Sequence, residues 1–252
     1  MWIDIMEIRE QQSRTARLIG SDALSRLTKS CVAIFGVGGV GGYAAEALAR
    51  CGIGEIHLFD NDTVSISNLN RQIIALHSTV GRYKVDAMAE RISDIDPLIT
   101  VKPHRMFFSH ENADSVDFTS FDYVIDAIDT VSAKIELVVR CNAVGTPIIS
   151  AMGAGNKISA RGFKVCDIYD TSVCPLARVM RHELRKRGIS SLKTVYSTDE
   201  SVTPVNNVDS SNDNNRSHKI PPASISYVPA VCGLMLAEEV IKDLQIITGD
   251  CK

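Results

Sequence analysis

Residues 31–62 read CVAIFGVGGVGGYAAEALARCGIGEIHLFDND. Cys31–Phe35 is a short apolar run with β-branched residues, the pattern of a buried strand. Gly36, Gly38, Gly39 and Gly41 follow at once. With no Cβ, these residues let the backbone turn sharply and approach a ligand closely. Val40, Ala44, Leu48 and Cys51 then recur at helical spacing, so a helix opens at the last glycines. Its free N–H groups and its dipole favour an anion. Ile56–Phe59 is a second strand, ending at Asp60, about twenty residues beyond the glycines, where a carboxylate suits a ribose hydroxyl pair. Strand, glycine turn, helix and terminal acid together indicate a nucleotide site. NAD is the usual occupant of such a unit, and the segments downstream argue against it.

The chain has 252 residues, 45% of them hydrophobic, and a formal net charge of −3. That is enough apolar material for one large α/β domain with a sizeable core. The slight acidity excludes a global positive field for nucleic acid or anionic membrane, though not a local basic patch. There is no charged-then-apolar leader and no apolar run of about 18 residues or more, so no membrane association is expected and the protein reads as cytoplasmic. The seven cysteines include no C-x-x-C pair. Neither a zinc site nor a disulfide framework is expected.

Trp2 to about Ile19 reads as a helix carrying Arg9, Arg14 and Arg17. After Asp60, the run NDTVSISNLNRQ places Asp62, Asn68, Arg71 and Gln72 just past a strand end, where open α/β sheets bind ligands. Gly81-Arg82-Tyr83-Lys84 opens another helix, with Val85, Met88, Ile92 and Ile95 apolar. Arg71 as a fork and Lys84 as a point charge suit a phosphate chain. Ile99–Lys102 reads as a third strand. Phe121–Asp129, FDYVIDAID, reads as a strand ending in two carboxylates, Asp126 and Asp129, either of which suits Mg²⁺ on ATP phosphates.

Strands are also expected over Pro147–Ala151, Gly162–Ile168 and Thr194–Ser197, with a tight loop at Gly153–Asn156 between the first two. Cys174–Gly188 reads as a helix whose polar side carries Arg178, Arg181, Arg185, Lys186 and Arg187 against a lone Glu183. This is either a solvated face or a phosphate-contacting one. The stretch 198–224 is rich in Asn, Asp, Ser and Pro and reads as a long mobile loop, an insertion or a lid. Pro229 to about Leu244 is a last helix. The alternation of strands and helices predicts a doubly wound, mainly parallel Rossmann-like sheet with helices on both faces. The expected organisation is a single domain over 1–252: a helical arm (1–30), a nucleotide-binding core (31–197), the polar loop (198–224) and a C-terminal helix (225–252).

The set GVGGVGG, DNDTVSISNLNRQ, GRYK and DAID, spanning Gly36 to Asp129, resembles the ThiF/MoeB adenylating domains related to ubiquitin-activating enzymes. The resemblance implies that ATP, not NAD, lies on the glycine loop. It implies Asp60 on the ribose, Arg71 and Lys84 on the β- and γ-phosphates, Asp62, Asn68 and Gln72 as further nucleotide contacts, and Asp129 serving Mg²⁺ and catalysis. It also implies a homodimer in which an N-terminal arginine crosses to the partner's ATP. Arg17, in TARLIG, is the best match, and Arg14 the alternative.

TARLIG, HSTVGRYKVDAMAERI and CPLARVMRHELRKRGI further resemble the tRNA threonylcarbamoyladenosine dehydratase branch of that family. The implied reaction is ATP-dependent closure of threonylcarbamoyladenosine in tRNA to its cyclic hydantoin form. The implied partner is tRNA, with the Arg178–Arg187 helix as its contact; a sulfur-transfer protein stays open as an additional partner. Sulfur-carrier activators of the superfamily usually carry two C-x-x-C pairs. Their absence here counts against the alternative substrate, the C-terminus of a ubiquitin-like sulfur carrier. Of the cysteines, Cys232 sits in an apolar helix and Cys174 at a helix start, and packing is favoured for both.

Overall fold

A computed structural model of the chain describes residues 10–204 and 222–246. Most of the stretch 198–224 and the start of the expected N-terminal helix lie outside the described residues. A 3₁₀ turn at Glu10–Gln12 leads into α1, Ser13–Ile19, and α2, Ser21–Leu27. Gly20 between them has φ +86°, outside the helical region, and divides what the sequence pattern presents as a single arm. Helix α2 was missed in the sequence because its seven residues show only two turns of periodicity.

The sheet has seven strands in the order β3-β2-β1-β4-β5-β7-β6. These are β1 (Cys31–Phe35), β2 (Glu55–Phe59), β3 (Thr100–His104), β4 (Tyr123–Asp126), β5 (Ile148–Ala151), β6 (Phe163–Asp167) and β7 (Lys193–Ser197). All neighbours run parallel except β6, the edge strand, which is antiparallel to β7. The helices are α3 (Gly41–Arg50), α4 (Lys84–Ile95), α5 (Val131–Val144), α6 (Pro175–Lys186) and α7 (Tyr227–Ile246).

The alternation along β1 divides the core. Val32 and Ile34 face a layer holding Leu48 of α3, Met88 of α4 and Val240 of α7. Ala33 and Phe35 face the opposite layer with Leu137 of α5 and Phe118. Met180 and Leu184 of α6 extend that second layer beneath β5 and β7, against Val138 and Tyr196. The sheet is therefore buried on both faces, which is why its central strands read as continuous apolar runs. Strand β4 stops at Asp126, and Asp129 stands on the loop beyond it. Helix α7 begins at Tyr227, two residues before the expected Pro229, a position Pro tolerates because the first-turn N–H groups need no partner within the helix. Among the described residues no helix is long and apolar enough to cross a membrane.

Candidate active site

The strand order reverses direction between β1 and β4, and a crevice opens beyond their carboxyl ends. There lies a cavity of about 600 Å³. Gly36, Gly38 and Gly39 form its floor, Asp60 and Asp62 the end of β2, and Asn68, Arg71 and Gln72 the wall after it. Lys84 enters from α4 and Asp129 from the loop after β4. Residues far apart in sequence are thus collected at one strand edge.

Gly41 lies behind this floor. A Cβ there would stand 1.8 Å from the carbonyl oxygen of Gly36, so it serves the close packing of α3 on β1. Asp60 is fixed by the backbone: Val37 N–H donates to Oδ2 at 2.7 Å and Asp62 N–H to Oδ1 at 2.8 Å. Each oxygen keeps a lone pair for a further donor such as a sugar hydroxyl. Lys84, 6% exposed, is paired with Asp62 at 2.6 Å. The pairing neutralises the ammonium and keeps it at the cavity wall. Arg71 donates to Ser67 O at 2.9 Å and Asn70 Oδ1 at 3.0 Å through one Nη, leaving three of its five N–H groups unassigned among the described residues. Asn68 is buried and its Oδ1 accepts the Ser65 N–H at 3.0 Å, closing the turn that carries Arg71. Gln72 is 7% exposed, and its Oε1 has no hydrogen-bond partner among the described residues. An unpartnered buried acceptor on a cavity wall is costly unless a ligand donor reaches it.

The two carboxylates of DAID separate. Asp129 is exposed at the cavity and is touched by Thr130 Oγ1 at 3.3 Å. Asp126, expected beside it, instead lies inside the protein and is 0% exposed. Lys134 of α5 pairs with it at 2.9 Å and Ser150 of β5 donates to it at 2.5 Å. A committed buried carboxylate cannot also serve a ligand, so Asp126 is removed as a metal candidate. Lys134 and Ser150 were not singled out in the sequence; the signal available was a lone Lys on the apolar face of α5.

Arg14 and Arg17 are exposed on α1 and do not line the cavity. On α6, Arg181 is turned inward, donating to Thr171 O at 2.9 Å and to Thr171 Oγ1. Lys186 and Arg187 are paired with Glu183 at 3.0 and 2.7 Å. Arg185 lies over the Tyr169 ring, 4.9 Å from its centroid, and Arg178 is exposed. Arg178 and Arg185 are therefore the cations of this helix left with neither an ion pair nor a hydrogen-bond partner among the described residues.

A second cavity, of about 410 Å³, adjoins the first along Ala127, Ile128 and Asp129. Met152, Cys174, Leu176 and Lys157 line it. Asn156, with φ +57°, ties the flanks of the polar stretch to this rim. Its backbone accepts Val202 N–H and donates to Ala223 O, and its Oδ1 accepts Ala223 N–H, each at 2.7 Å. Cys232 is fully buried on α7, and burial pushes its thiol up to about 12, so it packs as an apolar group. Among the described residues, one grouping, Cys31, Glu55 and His57, brings three metal-ligating atoms within 4.8 Å of one another. It lies at the amino end of the sheet, away from the cavity, and Glu55 there is held by Lys102 at 2.6 Å.

The ThiF family model matches residues 11–250. The chain belongs to the ThiF family. It is 44% identical over 239 residues to the tRNA threonylcarbamoyladenosine dehydratase of Bacillus subtilis, covering 93% of this chain and 94% of that protein. The ATP complex of Escherichia coli tRNA N6-threonylcarbamoyladenosine dehydratase superposes with a TM-score of 0.82 at 34% identity, over 94% of each chain. An adenylyltransferase and sulfurtransferase, UBA4 of Vanderwaltozyma polyspora, is 35% identical over 147 residues, covering 58% of this chain and 34% of that protein.

The donor set of this ThiF chain suits a nucleoside triphosphate. A carboxylate sits where a ribose would meet it, two cations stand beyond, and the glycine floor admits phosphates. It suits Mg²⁺ as well, since that ion typically takes one or two carboxylates and completes its shell with phosphate oxygens and water. Among the described acids lining the cavity, Asp129 is the one with neither an ion pair nor a backbone N–H bond.

Proposed function

We propose that this protein is an ATP-dependent dehydratase that activates the carboxylate of threonylcarbamoyladenosine in tRNA and closes it to the cyclic hydantoin. The observation that carries this reading is the meeting of two cavities on Asp129. One is equipped for ATP; the other takes the acyl group. A carboxylate cannot expel oxide, so it must first gain a leaving group. Its oxygen attacks the α-phosphorus of ATP, the bond to the β-phosphate oxygen breaks, and pyrophosphate departs. A nitrogen of the same modified side chain then attacks the acyl carbon and loses its proton, and AMP leaves.

In this scheme Asp60 orients the ribose. Arg71 and Lys84, the latter released from Asp62, neutralise the departing pyrophosphate charge. Asp129 would hold Mg²⁺, which would supply charge neutralisation at the phosphates. In a homodimer, Arg17 of one subunit, or Arg14, supplies a further guanidinium to the ATP of the other. No protein nucleophile is needed, in keeping with a Cys232 thiol that burial holds protonated.

Mass spectrometry of nucleosides from tRNA bearing threonylcarbamoyladenosine, incubated with the protein, ATP and Mg²⁺, tests this. Loss of one water at that base, dependent on ATP, is the expected result. An unchanged base, with ATP–pyrophosphate exchange driven by a sulfur-carrier C-terminus, would move the substrate to a carrier protein.

The exposed cations of α6 are assigned to the tRNA backbone. Arg178→Ala and Arg185→Ala should each raise the KM for tRNA and lessen the salt dependence of binding by about one unit of slope. ATP affinity should stay unchanged, and filter binding over a salt series measures both. A salt slope equal to that of the unsubstituted protein would take this helix out of the interface.

A further inference from the structure

The ion pair of Asp126 and Lys134 touches neither cavity, and stability does not explain it. Both side chains are 0% exposed, and their atoms meet at 2.9 Å. Desolvating two charges offsets most of their mutual attraction, and an apolar pair of similar volume is commonly as stable. The hydrogen bonds of the pair say more. Asp126 Oδ1 accepts the N–H of Ile128 at 3.2 Å, and Lys134 Nζ donates to the carbonyl oxygen of Ile128 at 3.1 Å. Both backbone polar atoms of one residue are thus held by one ion pair. Ser150 Oγ fixes the carboxylate from β5 at 2.5 Å, and Ala127 N–H is anchored on Phe35 O at 2.8 Å.

Ile128 directly precedes Asp129. The Asp129 carboxylate is exposed, and its hydrogen bond to Thr130 is long, at 3.3 Å. Its position is therefore set by the backbone it stands on. That backbone is also the wall the two cavities share. We infer that Asp126 and Lys134, braced by Ser150, are positioning residues: through the Ile128 peptide they fix Asp129 at the junction of the nucleotide and acyl cavities. This rests on the ATP-dependent reading above. In it, the carboxylate must meet phosphate and metal within a narrow range, and a displacement of about 1 Å can cost on the order of a hundredfold in rate.

The test uses the paired substitution Lys134→Met with Asp126→Asn, which removes both charges and leaves no buried ion alone. The variant should melt close to the unsubstituted protein and bind Mg²⁺-free ATP within about threefold of it, while turnover falls about a hundredfold. Calorimetry should show that tightening of ATP binding by Mg²⁺ requires about tenfold more of the metal. In an Asp129→Ala background the same pair should cost nothing further, because residues acting through one group are not additive. Ser150→Ala, which removes a hydrogen bond and no charge, should shift the Mg²⁺ requirement in the same direction by a smaller factor; it decides the matter if the paired variant fails to fold. An unshifted Mg²⁺ requirement, or a full additive loss with Asp129 already removed, would reduce the pair to a packing feature. An Asp129→Ala protein as active as the unsubstituted one would overturn the mechanism itself. An inactive one with additive losses would overturn the positioning role alone.

Discussion

Asp129→Ala should lower turnover by about a hundred- to a thousandfold, the loss seen when one preorganised electrostatic stabiliser is removed from an active site. The geometry sets that size. Asp129 is the one acid of the DAID run that reaches the cavity, since Asp126 is sealed behind it by Lys134 and Ser150. Asp62, another acid lining the cavity, already holds Lys84 at 2.6 Å. Among the described residues lining the cavity, the remaining acid, Asp60, is held by the Val37 and Asp62 N–H groups, so none is free to take over the metal. The fold should not suffer, because Asp129 is exposed and carries a single long hydrogen bond to Thr130. ATP binding without Mg²⁺ should likewise hold, because Asp60, Arg71 and the glycine floor are untouched. Single-turnover kinetics with calorimetry at two Mg²⁺ concentrations separate these expectations. Turnover within about threefold of the unsubstituted enzyme would remove Asp129 from the chemistry, since the metal would then be held by phosphates and water alone.

The residues that meet at the cavity are legible in the sequence where their pattern is local. A strand, a glycine turn and a terminal acid are read from one continuous stretch, and Arg71 and Lys84 announce themselves as cations just past strand ends. The roles of Asp126 and Asp129 were not separable that way. Both acids follow the same apolar run, and only the arrival of Lys134 from α5 and Ser150 from β5 decides which one turns inward. The cations of the basic helix are not separable in sequence for the same reason. Its five cations look equivalent in sequence, yet Arg181 is drawn to Thr171, a residue of the preceding loop. Composition counts charges; tertiary pairing decides which remain available. The parallel order of the central strands follows from their alternation with helices. The reversal of β6 at the edge carries no such signal, because a short strand reads alike in either direction.

The glycines of the opening turn should divide into two kinds under the same substitution. Gly41→Ala should destabilise the fold by about 3 kcal/mol, near the top of the range for overpacking. The added Cβ would lie 1.8 Å from Gly36 O and 3.2 Å from Ala127 Cβ. Backbone does not yield as a flexible side chain does, so α3 must move off β1 and the cavity floor with it. For a chain of this size the melting temperature should drop by about 6–12 °C. At Gly38 the nearest atom to an added Cβ is Gln72 Nε2 at 3.8 Å, an ordinary contact, and φ is not positive. Gly38→Ala should therefore melt at or slightly above the unsubstituted temperature, because Ala narrows the unfolded ensemble. Yet it should weaken ATP binding about tenfold, equivalent to about 1.4 kcal/mol, as the methyl group occupies space on the face where phosphate would approach the backbone. Thermal melts and ATP titrations of the two variants, side by side, check the division. Unweakened ATP binding by Gly38→Ala would mean that the phosphates do not rest on this turn. An unshifted melt for Gly41→Ala would mean that helix and strand stand further apart than the structure places them.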